Sequence, residues 1–103
     1  MLVMIRLLIR EFCPEDTEFY WLDDSVDAVG ICKYKYCEKL NEFYDYEFGI
    51  SKKYALSHSW EDVRRIAIRE IAQLRTLGNK EDFYYEFNRI MALFEEPLNS
   101  EAA

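Results

Sequence analysis

Residues 59–78 carry the pattern that constrains the fold most tightly. Ser59-Trp60-Glu61-Asp62 sets a serine cap ahead of an acid three residues on, close to a capping box. Trp60, Val63, Ile66, Ala67, Ile71, Leu74 and Leu77 then recur at three- and four-residue spacing until Gly78 ends the run. A helix with such a stripe has to bury it against another element. Asn79 caps a second segment of this kind, with Phe83, Phe87, Ile90, Met91 and Phe94 turned inward and Pro97 as its stop. Residues 25–48 suggest a third. Ser25 can cap it, Val26, Val29, Tyr36, Cys37, Leu40, Phe43 and Tyr44 fall on one side, and Gly49 follows as a C-terminal stop.

These segments predict a mainly α fold: one domain over residues 1–103, a small bundle of four to five helices, with 96–103 as a tail. Residues 1–22 allow two readings. Val3, Ile5, Leu7 and Ile9 alternate as in a strand, whereas Arg6 and Arg10 stand four apart as on a helix. Cys13-Pro14-Glu15-Asp16 reads as a helix start, and Thr17 to Leu22 fits helix or strand. The alternative is therefore an α+β fold with an N-terminal β-hairpin packed on three helices.

Of the 103 residues, 50% are hydrophobic and 17% aromatic, which fits a folded domain and not a disordered chain. No apolar run approaches the ~20 residues of a membrane span. The opening MLVMIRLLIREF lacks the layout of a secretory signal, and three cysteines, an odd number, suit a reducing compartment. A cytoplasmic location is expected.

Charge is unevenly placed. Glu11, Glu15, Asp16, Glu18, Asp23, Asp24 and Asp27 stand in residues 11–27 without one base, matching the net charge of −7 of the whole chain. Direct binding to nucleic acid, which needs Lys and Arg for phosphates, is not expected. A basic protein surface is the better counterpart.

Several residues break the helical pattern. Glu70 lies within the apolar arc of 59–78, where a carboxylate needs a partner. Ile68 falls on the charged side beside Arg64, Arg65 and Arg75, and Tyr85 does the same next to Arg89. Ile31, Tyr34 and Tyr46 sit among Lys35, Lys39 and Glu42. Tyrosines displaced onto polar faces suit protein interfaces or the underside of a further element.

Little points to catalysis. The single histidine, His58, stands in Ser57-His58-Ser59, and Gly30, Gly49 and Gly78 are isolated, so there is neither a nucleophile elbow nor a phosphate cradle. Cys13, Cys32, Cys37 and His58 lack zinc-ligand spacing, and Asp23, Asp24 and Asp27 lack the alternation of a calcium loop. No cofactor, metal or catalytic residue is expected.

Asp24-Ser25-Val26-Asp27 resembles the Asp-Ser-Leu-Asp motif of acyl carrier proteins. That resemblance implies, as an alternative, a phosphopantetheine arm on Ser25 of an acidic helical bundle. The length of the segment after Ser25 and the bases Lys33, Lys35 and Lys39 depart from the family pattern. In size, acidity and aromatic richness the chain also resembles toxin immunity proteins and phage-encoded anti-defence (anti-CRISPR) antagonists.

The expected function is protein binding without catalysis: an inhibitor that occludes a basic partner such as a nuclease or nucleic-acid-binding complex. Its expected contacts are Glu15, Asp16, Glu18, Asp23, Asp24 and Asp27, or Glu81, Asp82 and Glu86, with Tyr34 and Tyr85 as anchors. The remaining alternative is a structural subunit of a homo-oligomer. No contact with a membrane or with nucleic acid itself is expected.

Overall fold

A computed structural model describes residues 1–95. Its elements run α1 (Leu2–Phe12), β1 (Glu18–Leu22), β2 (Gly30–Cys37), β3 (Glu42–Ser51), α2 (Lys52–Ser57), α3 (Trp60–Thr76) and α4 (Lys80–Phe94). The fold is α+β, which overturns the mainly α bundle. The α+β alternative has the right class but the wrong hairpin: residues 1–22 form a helix and then a strand, and the hairpin lies at 30–51. The expected tail and Pro97 lie outside the described residues.

The long helix expected over 25–48 is instead a loop, a strand, a turn and most of a second strand. Side chains there satisfy two periods at once. Lys33-Tyr34-Lys35-Tyr36 alternates strictly, and β-branched and aromatic residues pack better on a pleated surface than around a helix. Asn41 closes the turn with φ 51°, a conformation that asparagine tolerates, and accepts a hydrogen bond at Oδ1 from the Tyr36 hydroxyl. Gly49, expected as a helix stop, is buried inside β3, two residues before its end. Cys13-Pro14 ends in a turn and does not start a helix: Thr17 Oγ1 donates to the Pro14 carbonyl at 2.6 Å and Asp16 takes φ 63°.

The sheet order is β1-β3-β2. β2 and β3 pair antiparallel, while β1 runs parallel to β3, from Glu18 opposite Glu47 to Leu22 opposite Ser51. The 23–29 loop crosses the end of β3 to reach the far edge, tied there by Ser51 N–H donating to the Val29 carbonyl at 2.8 Å. Register slips between Lys33 and Lys35, opposite Asp45, whose φ of 53° marks a β-bulge.

One face of the sheet packs on α3. Phe48 and Ile50 of the central strand are fully buried, flanked by Phe19 and Trp21 from β1 and Cys32 and Tyr34 from β2. Gly30 lets α3 come close, since a Cβ there would lie 2.8 Å from Ile66 Cγ2 and 3.0 Å from Glu70 Oε2.

The caps read from the sequence hold: Ser59 Oγ accepts from Asp62 N–H at 3.3 Å and Asn79 Oδ1 from Asp82 N–H at 3.0 Å. Leu77 and Gly78 turn the chain left-handed between α3 and α4. α3 touches the sheet on one side and α1 and α4 on others. Ile68, expected on a charged face, is therefore fully buried: a helix covered on several sides has no wide solvent stripe. Arg75 ties three helices, with Nη1 donating to the Phe12 carbonyl and Nε to Glu86, each at 2.6 Å.

Candidate protein-binding surface

β1 pairs with β3 only from Glu47 onward, so toward the turn the hairpin continues as two strands alone. The described residues span 55 × 31 × 23 Å. A bare two-stranded ribbon is marginal in water and needs cross-strand side chains to hold it. An aromatic ladder provides them: the Phe43 ring centroid lies 5.5 Å from that of Tyr34 and 4.8 Å from that of Tyr36. On the opposite face Tyr44 stands across from Lys35. Tyr36, Phe43, Tyr44 and Leu40 are all exposed, Leu40 by 67%.

Acids gather at the base of this ribbon. Glu15, Asp16 and Glu18 are exposed around the turn into β1. Asp16 and Glu18 share an open depression of about 630 Å³ with Lys33, Tyr34, Lys35 and Asp45. Lys33 pairs with Glu47 at 3.8 Å and Lys35 with Asp45 at 3.3 Å, so both of these β2 bases are matched by acids across the ribbon on β3. Among the described residues, no acid between Glu11 and Asp27 takes part in an ion pair.

The expected site residues are not brought together. Asp23, Asp24 and Asp27 are exposed in the loop beyond the other end of β1, roughly 16 Å from the first trio at ~3.3 Å per strand residue. Asp23 accepts from both the N–H and the hydroxyl of Ser25, and the hydroxyl bond, followed by the N–H bond, lowers its carboxyl below the usual value. Ser25 thus sits in an exposed turn and not at the head of a helix, the setting its carrier-type motif implies. Tyr34 is half-buried against Phe43 and near Gly78. Tyr85 is 72% exposed, but on α4. Glu86 is engaged by Arg75 and Arg89 inside the fold. Sequence reasoning missed Tyr36, Leu40, Phe43 and Tyr44 as surface residues because a helix would have turned them inward. The Lys-Tyr alternation was the signal that could have found them.

The groups with catalytic chemistry lie apart. The His58 ring stacks on Tyr54 at 3.7 Å, with Nδ1 within 2.9 Å of Ser57 Oγ and 3.0 Å of the Tyr54 carbonyl. Burial pushes the Cys13 thiol up to about 12 and the Cys32 thiol up to about 11, the latter aided by the Glu70 charge, so neither is a ready nucleophile. Among the described residues, no three His, Cys, Asp or Glu side chains converge as metal ligands. No helix among them is long and apolar enough to cross a membrane. No family model, curated protein or solved structure matches the chain.

Proposed function

We propose that this chain is a non-catalytic binding protein. It docks the ribbon of β2 and β3 on the basic surface of a nucleic-acid-handling protein and occludes it, in the manner of an immunity or anti-defence antagonist. The observation that carries this reading is the ribbon itself, whose exposed aromatics project beyond the sheet beside Glu15, Asp16 and Glu18. Aromatic anchors ringed by charge are the usual make-up of an interface centre. The unpaired acids would meet lysines and arginines that otherwise hold phosphates, and would speed encounter at low salt.

The test is capture by the tagged chain from host lysate at low and high salt, with bound proteins identified by mass. A nucleic-acid-binding protein retained at low salt, shed at high salt and lost with Tyr36→Ala/Phe43→Ala supports the reading. The triple change of Glu15, Asp16 and Glu18 to Gln or Asn should weaken capture more than Asp23→Asn/Asp24→Asn/Asp27→Asn. A partner indifferent to salt and to the ribbon changes overturns it, as does recovery of the chain alone.

A further inference from the structure

The ribbon accounts for none of the apolar surface on α1. This helix buries Ile5 and Leu8, yet leaves Leu2, Val3, Met4 and Leu7 exposed, Val3 by 70% and Leu7 by 50%. One exposed apolar side chain is ordinary, whereas a contiguous set marks an interaction site. Met4 and Leu7 form one wall of an open groove of about 670 Å³, completed by Phe12, Trp60, Leu93 and Phe94. Leu93, from the last turn of α4, is also exposed.

The charges of the groove differ in sign from those of the chain as a whole. Its lining holds Arg10 and Arg64 against Glu11. The Arg64 guanidinium lies 5.1 Å from the Phe94 ring centroid, and its buried Nε has no acceptor among the described residues. Among the described residues, neither Arg10 nor Arg64 is ion-paired.

We propose that this groove receives an amphipathic helix of a partner protein that carries carboxylates beside its apolar stripe. The concave apolar floor suits helix-in-groove binding, with side chains of the partner seated between α1 and α4. The carboxylates would meet Arg10 and Arg64, guanidinium being matched to a carboxylate in shape and charge. A second copy docked by two-fold symmetry would bring two arginines and one glutamate from each side, leaving positive charge in excess. An anionic bilayer would face a chain of net charge −7. The site does not depend on the ribbon, so either proposal can fail without the other.

The probes are a labelled synthetic helix with leucines at i, i+3, i+4 and i+7 and glutamates between them, its lysine counterpart, and phosphatidylserine vesicles. The full chain should bind the glutamate helix saturably and prefer it about tenfold or more over the lysine helix. Leu7→Asp and Arg10→Ala, both at exposed positions and each checked for a parent-like unfolding midpoint, should each weaken binding about tenfold. Tyr36→Ala/Phe43→Ala should leave it unchanged. The proposal is overturned if the glutamate helix does not bind, if both helices bind alike, or if Leu7→Asp and Arg10→Ala bind as the parent does. It is also overturned by preference for vesicles, by a dimer that Leu7→Asp disperses, or by binding that emerges only when the chain is cut after Glu95.

Discussion

The Tyr20 ring lies across Gly49, its direct partner in the parallel ladder of β1 and β3. A Cβ on Gly49 would come within 2.8 Å of both Tyr20 Cε2 and Leu22 Cδ2. An aromatic ring over a strand glycine supplies the cover that the missing side chain cannot. Tyr20 also donates to Glu47 Oε1 at 3.4 Å, and burial, followed by that carboxylate, raises its hydroxyl above the usual tyrosine value.

Gly49→Ala should therefore lower stability by about 1–3 kcal/mol, the usual penalty for overpacking. Tyr20→Ala should lower it too, but the double variant should lose less than the sum of the two, since removing the ring removes much of the clash. Urea unfolding of the four proteins measures this, and strict additivity would refute the packing account.

A second expectation concerns Glu70, 2% exposed, whose Oε2 accepts from Arg69 Nε at 2.9 Å. The Arg69 side chain is 40% exposed, so it can turn to water when its partner is neutral, whereas the carboxylate cannot. Arg69→Ala should then cost about 3 kcal/mol, the order seen when a buried charge loses its partner, and Glu70→Gln only about 1 kcal/mol. Equal losses in thermal or urea unfolding, or the reverse ranking, would count against an orphaned charge as the cause.

The thiols contribute to stability on the alkaline side. In the unfolded chain Cys13 and Cys32 give up their protons near 9, while folding holds them to about 12 and about 11. Both folded values are raised, so the folded state binds more protons above pH 9. Their contribution is complete below pH 9 and declines as pH rises through the folded values. Unfolding midpoints should fall over that window, and Cys13→Ser/Cys32→Ser should flatten this slope. At pH 8 iodoacetamide should spare Cys13 and Cys32 until denaturant is added, as peptide mapping will show.

Acid acts through Glu86, whose carboxyl is held below its usual value by hydrogen bonds first from Arg89 and then from Arg75. A lowered folded value means that its contribution is present above the ordinary carboxylate range and disappears as pH falls through the folded value. Glu86→Gln should destabilise by about 1 kcal/mol at pH 7 and less as the pH drops below 4. A loss that is the same at pH 3 and pH 7 would show that the charge is irrelevant.

Of the helices, α3 and α4 were legible because their ends are written in residues with one dominant use. Ser59, Asn79 and Gly78 fix α3 and α4, and Glu70 stood out as a carboxylate in an apolar arc. The sheet was not, because residues 25–48 satisfy helical and strand spacing together, and only tertiary pairing with β1 and α3 decides between them. The acidic segment was recognised as a charge feature, but its division into two separate groups was not. Five residues of strand hold its two ends about twice as far apart as five residues of helix would. Tyr34 was chosen over Tyr36 and Tyr44 because on a helix it would face water, whereas on this hairpin it turns toward α3 and the other two are exposed; Tyr85, on α4, does face water.

The strand order also fixes a sequence of events. β1 is made first, yet its only neighbour is β3, whose last paired residue, Ser51, comes 29 positions after Leu22. The hairpin can close locally, whereas the parallel contact has to wait for a long loop to shut. The strand nearest the start of the chain should thus dock only after the hairpin has closed. Until then Phe19 and Trp21, which end against the core, have no sheet to lie on.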